Sequence, residues 1–542
     1  MHRCCWLLSL VTWCSFGLTA AELTVDAQCP WIDYAGYTPV VITVRSGLPT
    51  ATAVQIEATL YAHRATLAME IPAGGVITRT LLLPGTSRSW GASLNVSWRA
   101  PGFSPQQISV SPRGFREVDV VVIDPDERWP LRETRDLIAA AVGPNHGDSR
   151  SGSSSGVYPE SRFSRWDPLA MPGSWQGYPA WLSIISTPAG DRALHDGQRA
   201  AIAAWTHAGG TLYVTDPGQI AVWQNRGAVV SLVETSRVIK RLKSIAQYKE
   251  RTFEDSPVPG TGRIPVYGFV AIALFFALLV GPANLWWCAR TSRRHLILVT
   301  TPVISVLASA VLLTYGLVSD GLGMQRSVIQ VVSLDQTTGR AATWTAMTIF
   351  TGLAPGALAL EQNILLTAQD PRVDRYGAER ESPVTLHWNA TGQQAAGWIP
   401  SRVNRQLTFA DVRPEKRRLV FAQEGDGWQV TNGFEAVLEE LSWEDPQSRF
   451  WHLEGSLEGG AAGRLTAGSA TVSPPLGRFP TATVQAVQAV HGGTWTARFG
   501  GALVPIPGPV ARDAVPVQAW LVGHGVGKPP DEETAEFAPG DF

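Results

Sequence analysis

Cysteine is scarce in this chain. Five in 542 residues cannot build a disulfide framework. Cys4, Cys5 and Cys14 fall at the extreme amino terminus, so Cys29 and Cys288 serve all the rest. Charge is sparse too. Charged residues make up 17%, and 44 Lys and Arg face 46 Asp and Glu for a net charge of −2. Without a basic field, nucleic acid is excluded as a default partner. The ten histidines never form HxH or HxxxH, and His195 and His207 stand too far apart to pair along one helix turn. No metal site and no cofactor are therefore expected. Hydrophobic residues, by contrast, reach 45%, which excludes a disordered chain. At roughly 150 residues per domain, the length implies three to four units.

The apolar residues are concentrated in runs. Met1-His2-Arg3 precedes an apolar stretch from Cys4 to Leu18, and Thr19-Ala20-Ala21 follows. A positive start, an apolar core and a small-residue exit predict a secretory signal peptide over residues 1–21. Two further runs, 265–288 and 296–318, carry no charge and are long enough to span a ~30 Å hydrocarbon core as helices. Trp286 and Trp287 sit where an interfacial aromatic belt belongs. The loop between the runs, 289–295, holds Arg290, Arg293 and Arg294 and reads as cytoplasmic by the positive-inside rule. These arginines set the expected topology: a hairpin in the bacterial inner membrane with both large segments outside, and membrane lipid as one partner. Pro282 and Asn284 lie inside the first run. A proline frees a carbonyl and an asparagine needs hydrogen bonds, so the pair marks either the helix–helix contact or the cytoplasmic interface.

The predicted fold class is multidomain. Residues 22–115 read as a β-sandwich, with β-branched runs at Val40–Val44 and Val54–Leu60 separated by the Gly47-Leu48-Pro49 turn. Residues 116–255 change character. Val118–Ile123, Ala180–Ser186 and Thr211–Thr215 are buried-type strands, and helical stretches are expected at Leu131–Val142 and His195–Ala208. The second helix places Ala201, Ile202, Trp205 and Ala208 on one face, and Gly209-Gly210 stops it. Strand, helix, strand with a glycine stop is the pattern of a parallel sheet. Residues 324–528 return to β-type composition, with strands expected at Ser327–Leu334, Thr343–Thr351, Val384–Trp388, Arg418–Ala422 and Trp428–Val430. Phe434–Leu441 fits a short helix or a strand. The acidic tail, 529–542, is expected to be disordered.

The run Tyr178–Thr215, with its DGQRAAIAAWTHAGGTLYVT core, resembles the glutamine-amidotransferase-like, flavodoxin-like domain of several large bacterial membrane proteins. Gly281-Pro282-Ala283-Asn284, the arginine-rich turn and Ser319-Asp320-Gly321 add to the resemblance. The matching motifs cover about 90 residues, and the outline of signal, β module, α/β domain, hairpin and β-rich tail covers most of the chain. The family's active members place a nucleophilic cysteine at the turn after the strand equivalent to Thr211–Thr215. Here that turn is Asp216-Pro217-Gly218, and no cysteine lies between Cys29 and Cys288. A carboxylate cannot replace a thiolate in thioester chemistry, so the resemblance implies a catalytically silent relative.

Other motifs have plainer readings beside the functional ones. Asp124, Asp126 and Glu127 follow a buried strand, where α/β sheets bind ligands and where clustered oxygens suit Mg²⁺. Arg128 stands where a haloacid-dehalogenase-type site wants threonine, which favours a solvated turn. Gly523–Lys528 fails as a phosphate loop, since Val522 occupies the first glycine position and Pro529 follows the lysine. Trp166, Trp175 and Trp181 suggest either a carbohydrate face or core packing. Segment 237–251 is basic and amphipathic, fitting anionic lipid or the last helix of a domain. The expectation is a non-enzymatic envelope protein that binds, scaffolds or senses, with other membrane-complex proteins as partners and any small-molecule ligand unidentified. Two alternatives remain open: an envelope hydrolase or metal-dependent enzyme using Asp124, Asp126 and Asp216, and an accessory subunit of a transport or secretion complex.

Overall fold

The computed structural model describes residues 23–32, 36–85, 94–111, 120–130, 163–179, 182–234, 236–238, 266–291, 297–320, 323–369, 383–389, 391–445, 447–468, 472–475, 479, 494–507 and 517–524. The signal segment, the 131–142 helix, Trp181, Arg293, Arg294, nearly all of 237–251 and the 529–542 tail lie outside these residues.

Alternation of buried and exposed side chains makes Thr52–Leu60 a strand with one wet face: Val54, Ile56, Ala58 and Leu60 point inward and Gln55 outward. It lies in a seven-stranded sheet ordered Ala357–Leu360, Gly392–Ala396, Thr385–Asn389, His63–Ile71, Thr52–Leu60, Leu94–Arg99 and Gln106–Val110. A three-stranded sheet of Leu23–Gln28, Tyr37–Ser46 and Val76–Pro84 faces it across a shared core that includes Ile42, Val44, Ile56 and Leu83. This is the β-sandwich-like module, but its boundary differs from the sequence reading. Three of its strands come from residues 357–396, after the two long apolar helices. Thr385–Asn389 runs parallel to His63–Ile71, pairing Leu386 with Ala65 and Trp388 with Leu67. The expected separation of 22–115 from 324–528 therefore does not hold in space. Strand periodicity marks which face of a strand is dry and carries no address for the neighbouring strand.

The middle of the chain forms a five-stranded sheet in which every described pairing is parallel. Its order is Phe163–Trp166, Val120–Ile123, Ser183–Ser186, Thr211–Val214 and Val230–Leu232, or 2-1-3-4-5 when numbered along the chain. The three strands expected from sequence are its centre, and Val120–Ile123, Ser183–Ser186 are buried along their whole length. Both faces of a parallel sheet are covered, so these strands read as continuous apolar runs. The helix Asp196–His207 packs Ala201, Ile202 and Trp205 inward. His195 caps it: its Nδ1 accepts the Gln198 backbone N–H at 3.3 Å, and Gln198 Oε1 accepts the His195 N–H at 3.1 Å. Gly210 has a steric reason to be glycine, since a Cβ there would lie 2.0 Å from the Trp205 ring.

An eleven-stranded sheet completes the fold, ordered Leu365–Gln369, Arg405–Pro414, Arg340–Thr351, Met324–Asp335, Val517–His524, Thr494–Phe499, Leu438–Glu444, Phe450–Leu453, Ala462–Ala467, Gly427–Asn432 and Leu419–Glu424. Of the two forms open at 434–441, the strand is the one adopted, beginning at Leu438. Its long central strands serve two cores by alternation. Ile329, Val331 and Trp344 join the core of the parallel sheet, while Val328, Met347 and Ile349 face the sandwich. Further along, Val332 and Leu334 enter a third core with Trp443, Trp495 and Phe499.

Two helical segments are long and apolar enough to cross a membrane, Tyr267–Arg290 and Ile297–Tyr315. The first is interrupted by a π-helical turn, Leu279–Ala283, that contains Pro282. A proline inside a helix removes one N–H and crowds the preceding turn, and a wider π turn relieves both. Asn284 follows directly and ties the helices together. Its Nδ2 donates to Thr301 Oγ1 at 3.2 Å, and its Oδ1 accepts from Thr300 Oγ1 at 2.9 Å and from Cys288 Sγ at 3.6 Å. At the other end Phe269 meets Tyr315 edge-on, ring centroids 5.5 Å apart. Gly268 lets that tyrosine in, since a Cβ would sit 1.9 Å from its hydroxyl. Arg290 lies over the Trp286 ring at 5.3 Å.

Candidate functional site

In an open parallel sheet, ligands bind beyond the carboxyl ends of the strands where the strand order reverses. Here that point lies between Val120–Ile123 and Ser183–Ser186, and Asp124 and Thr187 are the residues that leave those strands. The sequence singled out Asp124, Asp126 and Asp216 at this edge, and their positions differ sharply.

Asp124 is 1% exposed and fully engaged. Its Oδ2 accepts the Trp129 backbone N–H at 2.8 Å and lies 3.5 Å from Arg165 Nη2. Its Oδ1 lies 3.3 Å from Thr187 Oγ1, sharing that hydroxyl's one hydrogen with Ile123 O. Arg165 also reaches Glu127 at 3.4 Å and donates to Trp129 O at 3.4 Å. Asp126 points the other way, exposed, with Arg128 Nε at 3.8 Å. Asp216 is exposed at the turn after Thr211–Val214, where its backbone N–H donates to Gln219 Oε1 at 3.3 Å. The buried carboxylate is thus a clamp on its own turn, and the other two face water. Among the described residues, no three His, Cys, Asp or Glu side chains gather to hold a metal ion.

At the crevice, Thr187 and Gly190 pack against the end of Val120–Ile123. Thr187 donates its N–H to Ile123 O at 3.2 Å and its hydroxyl to the same oxygen at 3.1 Å. It then caps the helix Pro188–Ala193 by accepting the Gly190 N–H at 3.1 Å. Gly190 presses against the strand end, where a Cβ would lie 2.1 Å from Ile123 O. Sequence reasoning passed over Thr187, Arg165 and Gly190. Thr187-Pro188 carried a usable signal, an N-cap threonine before a first-turn proline. Arg165 carried none, because nothing local reveals that its partner lies 41 residues upstream in sequence.

Asp191, on that short helix, lies beside Arg199, whose Nε is 3.7 Å from its Oδ1. Burial pushes its carboxyl pKa up, while Arg199 and Arg226 pull it down. Arg199 and Arg226 both reach Asp196 as well, at 2.9 and 3.3 Å. The net lowers Asp196, through hydrogen bonds from the two guanidinium groups. These contacts stitch the helices that flank the edge.

The tryptophans near this sheet are packing residues. Trp166 and Trp175 are buried. Trp31, from the segment after the first strand, stands edge-on to Trp166 at 5.8 Å and donates its indole N–H to Gly177 O at 2.9 Å. Tyr178 continues the stack to Trp205 at 5.7 Å. His207 is buried, with Nε2 2.5 Å from Gly227 O. Gly523 lies under Trp495, 2.1 Å from where its Cβ would be, which accounts for a glycine there without any phosphate role.

No protein-family model and no curated protein matches the chain. Several solved structures share limited geometry with it. A Paenibacillus sp. cycloisomaltooligosaccharide glucanotransferase aligns at 18% identity and TM-score 0.15 over 22% of this chain and 18% of that protein. The yeast delta-COP-I mu-homology domain in complex with a Dsl1 WxWxV peptide aligns at 10% identity and TM-score 0.18, over 37% of this chain and 95% of that one. Escherichia coli alpha-2-macroglobulin, from domain MG7 to the C-terminus, aligns at 9% identity and TM-score 0.14, over 82% and 99%.

Proposed function

We propose that this is a non-enzymatic membrane protein of the bacterial envelope, holding a composite binding body outside the inner membrane on a two-helix hairpin. The observation that carries the reading is the parallel pairing of Thr385–Asn389 with His63–Ile71. One strand precedes the apolar helices in sequence and the other follows them. Backbone hydrogen bonds between adjacent strands cannot form through a bilayer, so the two large segments occupy one compartment. Two crossings return the chain to its starting side, and the arginine-bearing loop is left on the other.

The body's work is binding and scaffolding. Its parallel sheet has the 2-1-3-4-5 order of flavodoxin-type folds, which agrees with an amidotransferase-like ancestry. At the edge that carries chemistry in such folds, Thr187 and Gly190 pack against the strand end, and the buried carboxylate is paired with Arg165. That arrangement favours a silent domain serving as a wall of the body over a hydrolase, and an assembly role with other membrane-complex proteins follows.

Impermeant thiol labelling of spheroplasts tests the reading. Cysteines placed at the exposed Val76 and Val420 react from outside, and one at Thr291 reacts only after permeabilisation. Protection of either Val76→Cys or Val420→Cys sinks the topology. Photocrosslinking in intact membranes tests the binding role: discrete protein adducts are expected from the exported face, retained in Asp126→Asn and Asp216→Asn. Loss of adducts in those two variants would turn the reading toward chemistry at the edge.

A further inference from the structure

The second apolar helix, Ile297–Asp320, is 24 residues long. At 1.5 Å per residue it reaches ~36 Å, some ~6 Å beyond a ~30 Å hydrocarbon core and so through a headgroup layer. The chain then enters the long strand Met324–Asp335 four residues on, a reach of at most ~14 Å. The near end of the eleven-stranded sheet is therefore held at the membrane surface by its own connection.

Two loops share that end. Met324 pairs with Thr351, so the turn at 352–356 is level with the point where the chain leaves the helix. Gly352 donates its N–H to Gly323 O at 3.2 Å, fixing the turn to the emerging segment. Ile349 pairs with Arg405, which brings the 400–404 turn alongside, and the Arg402 N–H donates to Thr351 O at 2.7 Å. Each tip presents a bare aliphatic side chain: Leu353 is 63% exposed and Val403 is 52% exposed. The first turn, Gly352-Leu353-Ala354-Pro355-Gly356, has no charged residue at all, and the second carries a single exposed cation, Arg402, at φ 60°. An aliphatic tip beside one arginine suits the boundary between acyl chains and phosphates, where the apolar group is sheltered and the guanidinium meets headgroup oxygens.

We propose that these paired turns are a membrane-docking edge, with Leu353 and Val403 seated in the headgroup layer of the same bilayer the hairpin crosses. The proposal rests on the spanning reading above and goes beyond it. A two-helix tether alone leaves a large body free to tilt, whereas a third and fourth contact fix which face looks away from the membrane. The occupant is lipid, because the turns are continuous with a helix that enters it.

The test uses the full chain reconstituted into phosphatidylcholine–phosphatidylglycerol vesicles, with native cysteines replaced by serine and a polarity-sensitive fluorophore on one introduced cysteine. Leu353→Cys and Val403→Cys are compared with Val420→Cys, exposed on the far edge strand Leu419–Glu424, and with Leu307→Cys in the second helix. Lipids spin-labelled near the headgroup are expected to quench positions 353 and 403 at least about twofold more than position 420. Lipids labelled deep in the acyl chain are expected to quench position 307. Quenching at 307 with none above the 420 level at 353 and 403 overturns the docking edge and leaves the hairpin intact. No quenching at 307 overturns the spanning reading, and this proposal with it.

Discussion

The five-stranded parallel sheet and the seven-stranded sheet are both buried β structures, yet they are assembled in opposite ways. The first draws every strand from one continuous stretch, residues 120–232. The connections from Ser183–Ser186 to Thr211–Val214 and from there to Val230–Leu232 are short and helical, and residues a few positions beyond the strands pack against its edge. The second collects strands from 52–110 and from 357–396, with the parallel sheet and both apolar helices between them in sequence. A contiguous unit makes its strand pairings from one stretch of chain, although its core is completed by Ile329, Val331 and Trp344. A composite sheet binds the two ends of the chain together, and its integrity depends on everything between them.

That contrast can be broken from either side. The largest effect is expected from Gly190→Val, because the new side chain meets the Ile123 carbonyl, which cannot move without distorting the sheet. A loss of about 3 kcal/mol or more is expected, confined to the parallel sheet. Hydrogen exchange on the full chain in detergent would show it as lost protection at 120–123 and 183–186, with 64–67 and 385–388 still protected. Equal loss in both sheets would mean that they are one cooperative unit. Asp124→Ala follows at about 2–3 kcal/mol, since it leaves the partly buried Arg165 with only the exposed Glu127 carboxylate and leaves the Trp129 N–H without its acceptor. A thermal shift smaller than that of a surface substitution would show that the clamp is not structural.

The composite sheet has its own weak point where Tyr37, on the facing three-stranded sheet, reaches into it. Its hydroxyl donates to Gln393 Oε1 at 2.8 Å and accepts the Leu366 N–H at 3.0 Å, joining a strand near the start of the chain to two that follow the helices. Burial raises its pKa, so the phenol stays neutral and keeps its proton for Gln393. Tyr37→Phe leaves a buried donor and a buried acceptor unmatched, at about 1–2 kcal/mol. Here the exchange loss should appear at 385–388 and spare 183–186, the mirror image of Gly190→Val.

The smallest effect is a pH dependence in the third core, away from both sheets. Burial alone would raise Asp445, but hydrogen bonds from the Arg449 N–H, the Trp451 indole, the Arg449 side chain and the Gln447 N–H outweigh it and hold the carboxyl at about 2. Its ordinary value is 3.8, so the unfolded chain binds the proton first. The stabilisation is complete above pH 3.8 and is lost as pH falls from there through about 2. Asp445→Asn should remove that acid limb from a stability–pH curve, and an unchanged curve would refute the assignment.

Much of this was legible locally. Val118–Ile123, Ala180–Ser186 and Thr211–Thr215 announced a buried parallel sheet because strands covered on both faces are apolar throughout. The helix at 196–207 announced itself by its period and its glycine stop. The strands at 163–166 and 230–232 were missed, the first following a Ser/Gly-rich stretch and the second only three residues long. At the candidate site, the sequence pointed to Asp124, Asp126 and Asp216 at strand ends, and all three follow strands of the parallel sheet. It could not tell that Asp124 is clamped while Asp126 and Asp216 face water, because three carboxylates near strand ends look alike until their neighbours are known.

The sequence by itself determined the elements that depend on nearest neighbours along the chain: two long apolar helices, the alternation of each strand, the caps and stops. Only the tertiary structure decided which strands became partners and which carboxylate was buried. Hydrophobic pattern specifies that a face must be dry, and many faces satisfy one another equally well. The choice among them is made by long-range contacts such as Tyr37 with Gln393, and no short stretch of sequence contains both halves of such a contact.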